Sequence, residues 1–147
     1  MEEIDVKYLN GENFYKITDI NGKIIQDLTN YNGLVKEYYE DNWLKFEGEF
    51  LNGKRNGKGK EYDEFESNLK FEGEYLNGKR NGKGKEYHDN GKLKFEGKYL
   101  NGKRNGKVKE YHYNSKLKFE GEYLNGEEHG KGKEYYDNGN LKFEGEY

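Results

Sequence analysis

Histidine and carboxylate side chains are the residues of this sequence that could do chemistry, but their spacing argues against catalysis. His88 and His112 occupy equivalent positions in two successive copies of a repeated segment. If two strands separate them, their side chains lie roughly 10 Å apart, which is too far to bind one metal ion. The sequence has no cysteine, no serine-histidine-aspartate arrangement and no phosphate-binding loop. It therefore predicts no enzymatic activity, no catalytic residue, no metal site and no cofactor.

A repeat of about 24 residues positions these side chains. The string FEGE, or FEGK in one copy, begins at Phe46, Phe71, Phe95, Phe119 and Phe143. Along 69–75, apolar or glycine residues alternate with charged ones, as in a strand with one packed face. Asn-Gly dipeptides follow, and these are the strongest short-range turn signal. We expect strand Leu69–Leu76, loop Asn77–Asn81 and strand Gly82–Tyr87 in this copy.

Repetition of this hairpin predicts an all-β fold, an elongated single-layer twisted antiparallel meander of stacked β-hairpins. Glutamates of one strand would neighbour lysines of the next, which neutralises one face of the sheet. On the other face, glycines would leave the space in which aromatic rings lie. In the copy at 69–87 these glycines are Gly73, Gly82 and Gly84, and the rings are those of Phe71, Tyr75 and Tyr87.

Composition limits the classes of function. Only 31% of the residues are hydrophobic and 37% are charged, so no thick core is possible. The 29 acidic and 26 basic residues are interleaved, and their net charge of -3 argues against nucleic-acid binding. The absence of cysteine favours an intracellular, cytoplasmic protein, and no segment is typical of a signal peptide or a membrane span.

The repeats differ in regularity along the chain. Residues 1–43 are a degenerate version of the pattern, which we interpret as N-terminal capping repeats, and 44–147 form one continuous domain of regular repeats. Within the regular part, Val108 replaces a glycine and Ser115 replaces another. Glu127, Glu128 and His129 replace Lys-Arg-Asn, the turn 63–68 has one extra residue, and Trp43 precedes the first regular strand. We expect function to lie where the copies differ.

A basic row is one candidate binding site. Each of three copies carries a Lys-Arg pair after its Asn-Gly turn, and the row comprises Lys54, Arg55, Lys79, Arg80, Lys103 and Arg104. In exposed loops along one edge of the sheet, these side chains could bind an acidic partner or phospholipid headgroups. Acidic residues nearby favour a solvated loop over a membrane site.

A column of aromatic and histidine side chains is the second candidate. It follows the last tyrosine of each copy, and its candidate binding residues are Tyr39, His88, His112, Tyr113 and Tyr136. Tyrosine and histidine are good contact residues at protein interfaces. A third possibility is a homodimer through the C-terminal strand, because the sequence stops at FEGEY, half a repeat.

The string FEGEYLNGKRNGKGKEY resembles the MORN repeat, closely over 44–147 and loosely over 1–43. The linker DNGKLKFEG is similar to a bacterial variant of this repeat that is found in proteins often classed as antitoxins. The resemblance implies a single-layer sheet of stacked hairpins and a scaffold for protein or phospholipid contacts, without chemistry of its own. We therefore expect a non-catalytic protein-protein interaction scaffold. The alternatives are an antitoxin or immunity protein that binds a toxin, and a peripheral phospholipid-binding module.

Overall fold

The computed structural model describes residues 3–8, 15–19, 24–25, 30–39 and 41–147. Within these residues the chain forms strands and no helix, which confirms the all-β prediction. The strands are β1 (Glu3–Tyr8), β2 (Tyr15–Asp19), β3 (Ile24–Ile25), β4 (Gly33–Tyr38), β5 (Leu44–Leu51), β6 (Lys54–Tyr62), β7 (Leu69–Leu76), β8 (Lys79–Tyr87), β9 (Leu93–Leu100), β10 (Lys103–Tyr111), β11 (Leu117–Leu124), β12 (Glu127–Tyr135) and β13 (Leu141–Glu146).

The chain divides into two compact units. The first comprises Met1–Leu69 and Tyr75–Lys79, and the second comprises Lys70–Glu74 and Arg80–Tyr147. The units meet at 69/70, 74/75 and 79/80, and none of these boundaries coincides with the change at residue 44 that separates the predicted capping segment from the regular repeats. Parts of that segment, at 1–2, 9–14, 20–23, 26–29 and 40, lie outside the described residues.

In the first unit, the strand order is β6-β5-β4-β1-β2-β3. Consecutive strands β4, β5 and β6 pair antiparallel, as expected of a meander. The pairing of β1 with β4 departs from that expectation because it is parallel, with Ile4 opposite Val35. Parallel neighbours need a long connection, and here the segment that contains β2 and β3 provides it on the far side of β1.

In the second unit, strands β8 to β13 follow chain order and pair antiparallel throughout, so the meander prediction is confirmed there. The predicted strand Leu69–Leu76 is also confirmed as β7. The prediction of its loop was wrong, since β8 begins at Lys79 and the connection is the dipeptide Asn77-Gly78. Both of these residues have positive φ, 49° and 83°, as a tight two-residue turn requires.

The second Asn-Gly of each copy is a β-bulge, not a turn. In β10, Asn105 pairs with Lys98 and Val108 pairs with Gly97, so Gly106 and Lys107 are extra residues between two partners. The first dipeptide already reverses the chain, and the second therefore falls within a paired strand. The prediction that Gly82 leaves space for an aromatic ring was therefore wrong, because Gly82 lies in this bulge and faces the Glu74 side chain.

Two faces with different chemistry result. We call one the aromatic face and define it by Phe95, Gly97 and Tyr99 of β9, Val108 and Glu110 of β10, and their equivalents in other copies. The opposite, charged face is defined by Glu96 and Lys98 of β9, Lys107, Lys109 and Tyr111 of β10, and their equivalents. Tyr87 belongs to this charged face, where its hydroxyl donates to Glu72, and the prediction that a glycine makes room for its ring was wrong.

The core is the aromatic face itself. Phe46, Phe71, Phe95 and Phe119 are fully buried or nearly so. Each phenylalanine packs edge-to-face on an aromatic ring of the following copy, with centroid distances of 5.4 Å for Phe46 and Tyr75 and for Phe71 and Tyr99. A Cβ atom on Gly73 or Gly84 would lie 2.7 Å from the Phe71 ring. The prediction that these glycines leave space for rings is confirmed.

Candidate interaction surface

An arginine covers three of the four buried phenylalanine rings of the aromatic face, those of Phe46, Phe71 and Phe95. The Arg104 guanidinium carbon lies 4.1 Å from the centroid of Phe95, and Arg80 is 3.9 Å from Phe71. Arg104 also binds two carboxylates, Glu86 of the preceding copy at 2.9 Å and Glu110 of its own copy at 2.8 Å. Arg104 therefore combines a cation–π contact with ion pairs that tie neighbouring hairpins together.

Burial and hydrogen bonding set the pKa values of this network. Burial alone would lower the pKa of Arg104, but its hydrogen bond to Glu86 outweighs burial and the pKa is raised. Burial likewise opposes the ionisation of Glu86, while hydrogen bonds from Arg104 and Tyr99 lower its pKa overall. Burial and the hydrogen bond to Glu86 raise the pKa of Tyr99. The network thus keeps the arginine cationic, the glutamate anionic and the tyrosine protonated at neutral pH.

The structure divides the basic row into two kinds of residue. The row lies in strands, not in loops, because the two-residue turn lets β6, β8 and β10 begin at the lysines. The arginines have side chains only 21–24% exposed and bind carboxylates of the aromatic face. Only the lysines of the row are exposed, and these are Lys54, Lys79 and Lys103. Only three of the six predicted cationic side chains are therefore exposed to an anionic partner.

The arginine network stops at Glu128, which occupies the equivalent strand position, opposite Tyr123 in β11. Burial, Glu134 and Glu110 raise the pKa of Glu128. Lysines replace part of the missing charge, since Lys118 lies 3.4 Å from Glu110 and Lys142 lies 3.0 Å from Glu134. Three carboxylates consequently converge where the other copies place a guanidinium.

The histidine column links successive turns. The Nε2 atom of His88 is hydrogen-bonded to the backbone carbonyl of Tyr111 at 3.0 Å, and that of His112 contacts the carbonyl of Tyr135 at 2.8 Å. The hydroxyl of Tyr39 makes the corresponding bond to the carbonyl of Tyr62 at 3.1 Å. These three predicted binding residues therefore connect one copy to the next.

The other two predicted binding residues are exposed at the same turns. Tyr113 is 56% exposed and Tyr136 is 51% exposed. The ring of Tyr113 lies against His88, with 5.3 Å between centroids. The Asn90 amide donates to the Tyr113 carbonyl at 3.2 Å, so the preceding turn contacts both this ring and the backbone that carries it. Tyr113 and Tyr136 define what we call the tyrosine edge of the second unit.

Positions at which the copies differ have separate structural effects. Val108 is buried, and it accompanies a wider separation of Phe95 and Tyr123, 6.4 Å between centroids. This copy therefore packs differently from those with a glycine at the position of Val108. Ser115 has a φ of 69°, a conformation that glycine provides in other copies. In the longer turn at 63–68, Phe65 is 80% exposed, and Trp43 is 45% exposed.

The charged face shows the predicted alternation. Lys109 stands opposite Glu96 on one side and Glu120 on the other. Tyrosines extend this pairing, since the Tyr111 hydroxyl donates to Glu96 at 2.6 Å and the Tyr135 hydroxyl to Glu120 at 3.1 Å. Burial and these glutamates raise the tyrosine pKa values, to about 12 for Tyr111.

The last strand, β13, lies at the end of the strand order in the second unit. Phe143 in this strand is 41% exposed and Tyr147, which follows it, is 38% exposed, whereas the equivalent residues of earlier copies are buried. The homodimer through this strand stays a prediction. A molar mass that does not change with protein concentration would contradict it.

Within the described residues, no group of three or more histidine, aspartate or glutamate side chains is arranged to hold a metal ion. None of the described segments is a helix long and apolar enough to cross a membrane.

Sequence reasoning missed the glutamates of the aromatic face, of which Glu37 and Glu110 are buried. A signal for them was present. In each copy a glutamate precedes the last tyrosine, and in three copies an arginine precedes that glutamate by six residues. Such a recurring pair of opposite charges indicates an internal ion pair once both residues are placed in one strand.

Comparison with family models gives two results. A model described as MORN repeat matches residues 46–64 and 119–141. A second model, described as MORN repeat variant, matches residues 31–52, 80–101 and 104–125. A comparison with curated proteins found no match. MORN repeats are known in modules that bind proteins or membranes, and the repeat is generally non-enzymatic.

Proposed function

Because the chain belongs to the MORN-repeat family, we propose that it is a non-catalytic scaffold that binds another protein. The tyrosine edge is the observation that supports this role most directly. Tyr113 and Tyr136 expose about half of their surface, and tyrosine contributes large contact area at low cost in side-chain entropy.

The backbone beneath the tyrosine edge is held in place by the turn-to-turn hydrogen bonds. His112 binds the carbonyl of Tyr135, and the Asn114 amide donates to the carbonyl of Asp137 at 2.7 Å. A binding surface that is already ordered loses less entropy when a partner docks. We infer that the histidines act by positioning the tyrosines and that the tyrosines make the contact.

Capture of a partner tests this proposal. The tagged chain is purified from cells that express it at its native level, and the double variant Tyr113→Ala and Tyr136→Ala is compared with wild type. The matched control is Leu100→Ala with Leu124→Ala, because these leucines are 50% and 48% exposed at the opposite turns. We expect the partner to be lost from the tyrosine variant and kept by the leucine variant.

The opposite result, with capture lost only from the leucine variant, would contradict the tyrosine edge as the binding surface. Capture of no protein by wild type would contradict the scaffold role. If the captured protein is a toxin, the narrower antitoxin role follows. Sedimentation with phospholipid vesicles tests the alternative of a phospholipid-binding module. The variant for that test replaces Lys54, Lys79 and Lys103 with neutral residues, because substituting the arginines would damage the core.

A further inference from the structure

A row of side chains that crosses the charged face alternates in sign except at one residue. Lys107 is opposite Glu122, and Lys131 is opposite Glu146. At β9 the row has Lys98, directly opposite Lys83 of β8, where other copies have a glutamate. Three lysines, Lys83, Lys98 and Lys107, therefore lie on three successive strands. Their spacing is roughly 5 Å from strand to strand, and they are flanked by Glu74 and Glu122.

The missing glutamate has a defined position in two other copies, those of Glu49 and Glu74. In β7, the Glu74 carboxylate accepts a hydrogen bond from the backbone amide of Lys83 at 2.5 Å, in the bulge that follows Gly82. In the first unit, the Glu49 carboxylate lies against the equivalent glycine, Gly57. A carboxylate thus lies against this bulge in two copies, whereas the Glu122 carboxylate oxygen is 3.9 Å from the position that a Cβ atom on Gly130 would take.

The bulge of β10 has no such occupant. Lys98 replaces the glutamate, and no atom of the described residues beyond its chain neighbours lies within 4 Å of the position that a Cβ atom on Gly106 would take. The lysines at the bulge, Lys98 and Lys107, are exposed. Like charges directly opposite each other destabilise a sheet, so the Lys83–Lys98 pair costs stability that an external anion would recover.

We propose that this bulge, at Gly106-Lys107, binds a glutamate or aspartate side chain from an acidic segment of a partner protein. The proposal rests on the scaffold function, since it takes the ligand to be part of a protein. The carboxylate would take the place that Glu74 occupies in the preceding copy, accept a hydrogen bond from the Lys107 amide and lie among three ammonium groups. Charge-assisted hydrogen bonds of this kind are among the stronger ones in proteins.

The test uses the full chain and a fluorescein-labelled hexaglutamate peptide, titrated at low ionic strength by fluorescence anisotropy. We expect binding that weakens as salt is added, because exposed charges are screened. The diagnostic variant is Lys98→Glu, which restores the glutamate of the other copies and fills the bulge from within. We expect its affinity for the peptide to fall at least about tenfold. Lys92→Glu, at an exposed turn position, makes the same change in net charge and should bind nearly as wild type.

Amide chemical shifts supply the site-specific measurement. On addition of hexaglutamate, the backbone amides of Gly106 and Lys107 should shift in wild type and stay unchanged in Lys98→Glu. Equal affinity of wild type and Lys98→Glu, or shifts confined to other residues, would overturn the proposal. Binding to phosphatidylserine vesicles without binding to the peptide would overturn the assignment of a protein carboxylate.

The same variant separates this inference from the scaffold proposal. If Lys98→Glu captures the native partner as well as wild type does, the acidic-segment site is wrong and the scaffold role stands. If wild type captures no protein, the scaffold role itself fails.

Discussion

Replacing Glu128 with arginine should stabilise the protein, because it completes the network that the other copies share. Glu128 stands opposite Tyr123, as Arg104 stands opposite Tyr99. The new guanidinium would reach the ring of Phe119 and bind both Glu110 and Glu134. It would also remove the carboxylate whose pKa is raised by burial and by these two neighbours.

The expected gain follows from the contacts of Arg104. A partly buried cation–π contact contributes about 0.5–2 kcal/mol, and a hydrogen bond to a charged group contributes roughly 1.5–3 kcal/mol. Lys118 and Lys142 already neutralise part of the charge on Glu110 and Glu134, so only some of this energy is new. We expect the free energy of unfolding to rise by about 1–3 kcal/mol, which is several degrees in Tm for a chain of this size.

Urea denaturation at pH 7 measures the change, and a higher midpoint with an unchanged m value is the expected result. Glu127→Arg is the matched control, because it makes the same charge change at an exposed neighbour and should shift stability by less than about 0.5 kcal/mol. A Glu128→Arg protein no more stable than this control would refute the reasoning.

The pH dependence of Glu128→Gln gives a second check. Since the folded pKa of Glu128 is above its ordinary value of 4.5, the folded state binds more protons than the unfolded state between the two pKa values. The contribution of Glu128 to the free energy of unfolding therefore falls as the pH rises from the unfolded pKa to the folded pKa. The stability advantage of Glu128→Gln should be small below pH 4.5 and reach its full size above the folded pKa. An advantage that shrinks as pH rises would contradict the assignment.

Three further predictions concern the repeat itself. Ser115→Gly should raise the free energy of unfolding by about 1 kcal/mol, measured by urea denaturation, because φ at this residue is 69° and glycine adopts such values without strain. Gly84→Val should lower it by about 1–3 kcal/mol, since a Cβ atom there would lie 2.7 Å from Phe71. A loss of less than about 0.5 kcal/mol, the size expected of a surface substitution, would contradict this. Spectrophotometric titration at 295 nm should show Tyr87 and Tyr111 ionising near pH 12 instead of 10, with stability lost as pH rises through that range.

Local patterns were sufficient for the strands whose sequence alternates. The segment at 69–76 alternates packed and charged residues and ends at Asn-Gly, and β7 has the predicted bounds. The same reasoning failed at Asn81-Gly82, because an identical dipeptide forms a turn in one place and lies in a bulge in the other. Which of the two occurs depends on the pairing register with the neighbouring strand, and a dipeptide carries no information about that register.

The misplacement of the arginines follows from that error. Once 77–81 was interpreted as a loop, Arg80 became a solvated loop residue, and its ion pairs could not be foreseen. In the structure, Arg80 is in β8 and covers Phe71. The role of the histidines in linking turns was missed for a related reason, since His88 binds a backbone carbonyl 23 residues away, at Tyr111. Side-chain type alone does not indicate such a partner.

Departures from the repeat are therefore informative only after the register is known. In the sequence, Lys98 is one substitution in FEGE and looks like a tolerated variant. The register places it opposite Lys83 and beside a bulge whose equivalents at Gly57 and Gly82 hold a carboxylate. Lys98 places two lysines opposite each other, which destabilises the sheet. It also leaves the bulge of β10 without a carboxylate. Such a change is best explained by a ligand that recovers the loss, and this is why Lys98, in the most regular part of the array, is a stronger candidate for function than the variable turns.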